Sequence, residues 1–255
     1  MLSKNSWYKI SFDNSNEIFV ACHKSECVFH IDSNGKEICL KDRSFYHYNA
    51  HLQDIDITNN MMATCQNSMN DYANTKSPNL FMGLTLYDLS LNYIRTDGST
   101  YDPMNKDHVP FLVHVDMLHE APNCTGVISI NKHYENQSNI NRYLHFDNFN
   151  SQIVITDFQV PHGPGSMDHS TAIVQRIYGI PFSNNVGGLT ADPEREAGYV
   201  VDRKNNRIFE IFYTSGIVNK SARFDYPIFS SIDSEILWRF LSPDFFSREL
   251  IKLSG

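Results

Sequence analysis

Clustered positive charge is missing from this chain. Its 21 Lys and Arg are scattered along 255 residues and outnumbered by 29 Asp and Glu, for a formal net charge of -8 and a pI near 5.7. Surfaces for nucleic acid or anionic membranes gather Lys and Arg together, so direct nucleic-acid recognition and membrane binding are both disfavoured. No apolar run approaches bilayer-spanning length. The opening Met1-Leu2-Ser3-Lys4-Asn5-Ser6, leading into Trp7 and Tyr8, lacks the apolar core of a signal peptide. Cysteine is sparse and odd in number: Cys22, Cys27, Cys39, Cys65 and Cys124 follow no disulfide-framework spacing, which points to a reducing compartment and cytosolic synthesis. Catalytic signatures are missing as well. No Gly-x-Ser-x-Gly elbow anchors a hydrolase triad. Pro161-His162-Gly163-Pro164-Gly165 has no Gly-Lys-Ser ending, and its prolines remove donors from a phosphate cradle. Gly187-Gly188 is too short for a nucleotide fingerprint.

What is present is aromatic and β-forming. Hydrophobic residues make up 41% and aromatic residues 13%, enough for a globular core without staples, and thirteen tyrosines are spread from Tyr8 to Tyr226. Short β-branched and aromatic runs at Glu17 to Cys22, Cys27 to Ile31 and Lys36 to Leu40, with Asp32-Ser33-Asn34-Gly35 as a turn, predict a three-strand meander. Further strands are expected at Leu80 to Leu86, Leu91 to Arg95, Pro110 to Met117, Gly126 to Ile130 and Gln152 to Val160. Tyr199 to Asp202 and Arg207 to Tyr213 form an expected hairpin through Lys204-Asn205-Asn206. Phe45 to Asn79 shows no clean period, and Thr58-Asn59-Asn60 reads as loop. Helices are expected at the carboxyl end, over Ser231 to Leu241 and, after Ser242-Pro243-Asp244, over Pro243 to Leu253. The sequence shows no internal repeat. The chain reads as one mainly β domain, an antiparallel sandwich or jelly roll with carboxyl-terminal helices; the division into an amino-terminal arm over 1–15 and a body over 16–255 is what the family resemblance given below implies.

Three constellations bear on chemistry. His114-Val115-Asp116 followed by His162 and Arg176 has the order of a 2-His-1-carboxylate iron site, with Arg176 placed to pair with a 2-oxoglutarate carboxylate. His-x-Asp, however, occurs three times (His30/Asp32, His114/Asp116, His145/Asp147) where chance gives about one, so polar strand residues account for each copy. Cys22, Cys27, His30 and Cys39 match no zinc-knuckle spacing and read as small buried strand residues. His47 and His51, one helical turn apart, lack the Glu of a zincin, and Asp54 and Asp56 follow in what reads as polar surface.

The central order is more informative. Ser90-Leu91-Asn92-Tyr93-Ile94-Arg95, Val109-Pro110, His119-Glu120-Ala121, Thr125-Gly126-Val127, Arg142-Tyr143, Phe149-Asn150-Ser151-Gln152-Ile153 and Val160 with His162 resemble the succession of elements in cypovirus polyhedrins. The resemblance is clearest over about residues 80 to 162, extends as a similar layout to the meander ending near Leu40 and the excursion to Asn79, and matches no residues beyond Thr171. It implies a β-sandwich body with a short amino-terminal helical arm. It further implies a non-enzymatic structural protein whose trimers pack into a crystalline occlusion body in the cytoplasm of an infected cell, holding virus particles until alkali dissolves it. No cofactor is required, and a nucleotide held as a lattice ligand is an added expectation of the family. Titration of eleven Lys, thirteen Tyr and five Cys carries the net charge towards roughly -37 in strong alkali, and like charges in a lattice repel. Tyr93, Tyr134 and Tyr143 lie in the segment of resemblance and are the candidate release residues. Two rival classes are an iron and 2-oxoglutarate oxygenase built on His114, Asp116, His162 and Arg176, and a glycan-binding β-sandwich that gathers loop aromatics into one platform.

Overall fold

A computed structural model describes residues 7–13, 16–22, 27–42, 52–66, 84–90, 111–112, 114–117, 124–130, 141–148, 151–160, 172–177, 179–183, 186–213, 217–220 and 238–241. In these residues the chain is all strand, turn and irregular backbone. β1 (Trp7–Phe12), β2 (Ile18–Cys22), β3 (Cys27–Ile31) and β4 (Glu37–Asp42) form the first antiparallel meander. β5 (Leu52–Thr58), β6 (Met61–Gln66) and β7 (Thr85–Asp88) form the second. β8 (Phe111–Leu112) adds to the first sheet, parallel to β4, and β9 (Asp116–Met117) adds to the second, antiparallel to β7. The third sheet has the order β10 (Cys124–Ser129), β11 (Arg142–Asp147), β12 (Gln152–Asp157), β13 (Ile173–Ile177), β17 (Ile217–Lys220). The fourth is β14 (Val186–Asp192), β15 (Ala197–Asp202), β16 (Arg207–Phe212), β18 (Trp238–Leu241).

The sheets pack in chain order through their leading strands, β1 and β2 on β5, β5 and β6 on β10, and β10 and β11 on β14. A core layer fills each junction. Phe19, Ala21, Val28 and Leu40 meet Leu52, Ile55, Met62 and Tyr87 between the first two sheets. Ala63, Leu86 and Val115 meet Val127, Tyr143, Val154 and Val174 between the second and third. Leu144, Phe146, Ile153 and Ile155 meet Leu189, Val200, Phe209 and Ile211 between the third and fourth. The third sheet is therefore apolar on both faces, with Tyr143 on one and Leu144 on the other, as a sheet covered on both sides must be. Gly126 lets β10 and β14 approach, because a Cβ there would sit 2.8 Å from Leu189 Cβ.

The mainly β, antiparallel expectation holds, and the first meander and the Tyr199 hairpin lie where they were expected. Asp32 closes its turn by accepting the N–H groups of Asn34 and Lys36, both at 2.9 Å, with Gly35 at a φ of 76°. Several expectations need correction. The described strands fall in four sheets in blade-like succession, where a sandwich or jelly roll sets two sheets face to face. The meander repeats although no sequence repeat is visible, because the common feature is alternation and turn geometry. Trp7–Phe12, expected within a helical arm, pairs with β2 as a strand. The stretch read as loop contains the β5–β6 hairpin, whose turn residues Asn59 and Asn60 have φ of 52° and 63°, the left-handed pair of a two-residue hairpin turn. Pro110 to Met117 is split between two sheets. The last four residues of the helix expected over 231–241 form β18 on β16, while 231–237 and 243–253 lie outside the described residues.

Candidate functional site at the seam of the second and third sheets

β10 is the edge strand of its sheet, so alternate backbone N–H groups point away from β11. β5 meets them with two acids two residues apart. Asp54 Oδ2 accepts from Val127 N–H at 2.9 Å, and Asp56 Oδ2 accepts from Ser129 N–H at 2.8 Å. Asp54 Oδ1 also accepts the N–H of Ile55 at 3.0 Å. Both carboxylates are buried, contrary to their reading as polar surface. Period-two acids on a strand facing a period-two row of donors are the signal that locates them.

Beside this clamp stands Tyr143, on β11, fully buried, its ring 6.2 Å from Phe158 edge to face. Its hydroxyl has no hydrogen-bond partner among the described residues. Burial first, and the Asp56 charge second, push its ionisation far above the ordinary tyrosine range. His145, two residues on, bonds through Nε2 to Thr156 Oγ1 at 2.8 Å, and burial lowers its pKa to about 3, so the ring is neutral. A disulfide joins Cys65 of β6 to Cys124 of β10 across the same junction, with 59 residues between them in sequence. This corrects the reading of all five cysteines as unpaired. A long-range contact between strands of two sheets, with no motif spacing, brings these two together.

The other expected residues are dispersed. His114 and Asp116 are buried at the end of the second sheet, and Asp116 Oδ1 accepts the N–H of Met117 at 2.8 Å. Arg176 is buried on β13 of the third sheet. Among the described residues no group of three or more His, Cys, Asp or Glu is placed to hold a metal ion. His162, Tyr93, Tyr134, His47 and His51 lie outside the described residues. Of the proposed zinc set, Cys22 and Cys27 face each other across the β2–β3 hairpin. His30 instead stacks on Phe19 at 4.6 Å and bonds to Glu17 Oε2 at 2.6 Å. Cys39 pairs in register with Phe29.

Two further polar clusters went unnoticed in the sequence. On the outer face of the fourth sheet, buried Glu210 Oε1 accepts from Arg195 Nη2 at 2.8 Å and from the Tyr199 hydroxyl at 3.0 Å, while Arg195 Nη1 donates to that hydroxyl at 2.8 Å. Asp202 accepts from Ser183, from Asn205 Nδ2 at 2.9 Å and from Arg207 Nη2 at 2.7 Å. Burial alone would raise the Asp202 pKa, but the bonds from Ser183, Arg207 and Asn205 outweigh it and hold the carboxyl well below the ordinary range.

No protein-family model and no curated protein matches this chain. Among solved structures it is similar to a catalytically inactive virginiamycin B lyase from Staphylococcus aureus with quinupristin, at 14% identity and TM-score 0.41 over 86% of this chain and 70% of that one. It is also similar to the selenomethionine-substituted virginiamycin B lyase of the same organism, at 16% identity and TM-score 0.37 over 86% and 70% of the two chains. A streptogramin B lyase structure gives 13% identity and TM-score 0.40 over 88% and 71%. Likeness at this level transfers neither residues nor chemistry.

Proposed function

We propose that this chain is a structural protein whose copies assemble, as trimers packed in a lattice, into an intracellular crystalline body that holds virus particles and dissolves in alkali. The polyhedrin-like order of residues 80 to 162 motivates the reading, and the observation that carries it is the position of Tyr143 inside that segment. Its hydroxyl is buried and feels the charge of Asp56, so it stays neutral in mild alkali and adds a further negative charge to the junction once it ionises. Because the folded value is raised above the unfolded value near 10, folding stability is intact below about pH 10 and falls as pH rises beyond it. Exposed Lys and half-buried Tyr199, whose ionisation is also raised, by burial first and by Glu210 next, add repulsion in the same range.

In this reading the subunit body is propeller-like, no catalytic or cofactor role is assigned, and a nucleotide between subunits is an addition from the family. The Cys65–Cys124 pairing stands against cytosolic synthesis, since disulfides belong to oxidising settings; it requires that oxidation accompany or follow assembly. Expression in insect cells tests the proposal. Crystals that survive neutral buffer and dissolve near about pH 11 are the expected result, and a soluble monomer at high concentration would overturn it.

A further inference from the structure

Asn34 is followed by Gly35, and nowhere else in the chain does a glycine follow an asparagine. The pair sits at the tip of the hairpin between β3 and β4, and both residues are exposed. Gly35 has a left-handed φ of 76°, and a Cβ built on it would meet nothing within 4 Å. The Asn34 side-chain amide and the Gly35 backbone nitrogen are thus open to water and hydroxide, and Gly35 has no side chain to stand between them. Three hydrogen bonds hold the turn closed. Gly35 N–H donates to the Asp32 carbonyl at 2.8 Å, and Asp32 Oδ1 accepts the N–H groups of Asn34 and Lys36, each at 2.9 Å. All three belong to an exposed hairpin end, the kind of segment that opens locally at little cost in free energy. Opening releases the Gly35 N–H.

We propose that Asn34 is a modification site, deamidated without an enzyme by the residue that follows it. In the open turn hydroxide removes the Gly35 N–H proton and the nitrogen attacks Cγ of Asn34. The new C–N bond closes a cyclic imide, the bond from Cγ to the side-chain nitrogen breaks, and that nitrogen leaves as ammonia after taking a proton from water. Water then opens the imide at either carbonyl. One opening gives aspartate at position 34, and the other gives isoaspartate, in which the backbone runs through the former side chain. Both products add a negative charge two residues from Asp32. Isoaspartate also lengthens the turn by a carbon atom, so Asp32 Oδ1 can no longer hold the N–H groups on both sides of it. Because β3 and β4 pair through this turn, isoaspartate loosens the hairpin from its tip.

Peptide mapping by mass spectrometry tests this on the purified full chain held at neutral pH and in mild alkali, following the conversion of each asparagine amide to acid. The expected result is that the Asn34 peptide converts first, about tenfold faster for each unit of pH as the amide anion becomes more populated. Hydroxylamine, which attacks cyclic imides, should cut the chain between residues 34 and 35. Asn34→Gln, which would need a larger ring, should resist both conversion and cleavage there. Asp32→Ala removes the acceptor shared by Asn34 and Lys36, so it should convert faster than wild type and approach the rate of wild type unfolded in urea. Other asparagines converting while Asn34 keeps its amide would overturn the proposal, and so would conversion of Asn34 without cleavage by hydroxylamine. An Asp32→Ala protein with unchanged circular dichroism and an unchanged rate would remove the turn from the account. Loosening is read by hydrogen exchange over β3 and β4, which should be faster in the converted protein than in Asn34→Asp, since that variant carries the charge without the added carbon. Equal exchange in the two would refute the structural consequence.

Discussion

Asp54 and Val127 are 73 residues apart in sequence, yet a carboxylate oxygen of the first holds the backbone N–H of the second at 2.9 Å inside the protein. Asp56 and Ser129 repeat the contact one period along. Two sheets are thereby joined where neither has a strand to offer the other, and two N–H groups on the edge of β10 find acceptors.

Replacing Asp54 by Ala leaves the Val127 N–H buried without its acceptor. The expected cost is about 1 to 3 kcal/mol, read as a lower urea midpoint with an unchanged slope. Asp54→Asn loses the charge and keeps one acceptor oxygen for the two N–H groups of Val127 and Ile55, so it should fall between wild type and Ala. Equal midpoints for all three would remove the clamp from the account of stability.

Tyr143→Phe deletes a buried hydroxyl that has no partner among the described residues and removes a proton whose loss burial resists. At neutral pH the variant should match or exceed wild type in stability, since no hydrogen bond is forfeited. In alkali it should unfold at higher pH than wild type, because a folded value raised above the unfolded one near 10 destabilises only as pH climbs past that value. A titration of circular dichroism from neutral to strong alkali measures both. An unmoved alkaline midpoint would assign release to lysine.

His145 and Asp202 divide the acid side into two ranges. His145, lowered to about 3 by burial, is neutral in the fold and charges readily when unfolded. Its contribution is present above the unfolded value near 6.5 and is lost as pH falls from there towards 3. Asp202 is lowered as well, so its contribution runs in the same direction: it is present above the unfolded value near 3.9 and is lost only as pH falls below it. Asp202→Asn should therefore flatten only the steep end of an acid unfolding curve below about pH 4. His145→Gln should flatten the gentler slope between about 6.5 and 4, provided Gln keeps the bond to Thr156. Melting temperature against pH for the three proteins resolves the two ranges.

What was legible in the sequence follows from where the physics is local. The Asp32 to Gly35 turn and the Lys204-Asn205-Asn206 turn declare themselves because turn residues and flanking alternation lie within ten positions of one another. Asn59-Asn60 was missed although both residues take left-handed φ values, because Asp54 and Asp56 made the preceding strand look like polar surface. Their polarity is spent on the β10 edge, a partner that no window around β5 contains. Cys65 and Cys124 were missed for the same reason. Sheet number was misjudged because both a sandwich and a succession of meanders are built from the same short strands, and only the contacts between leading strands distinguish them.

Those long-range contacts also set the last prediction. Cys65–Cys124 closes a loop with 59 residues of separation between β6 and β10, and constraining an unfolded chain over that span contributes up to about 4 kcal/mol. The bond lies in the same core layer as Tyr143, so weakening it should loosen the junction that the alkaline reading depends on. Reduction, or the double variant Cys65→Ala/Cys124→Ala, should lower the melting temperature at neutral pH and also bring the alkaline midpoint down. Combined with Tyr143→Phe, the two changes should couple rather than add, since both act on the packing of β6, β10 and β11. Strict additivity in that double-mutant cycle would separate the disulfide from the tyrosine and confine alkaline sensitivity to Tyr143 and its acid neighbour.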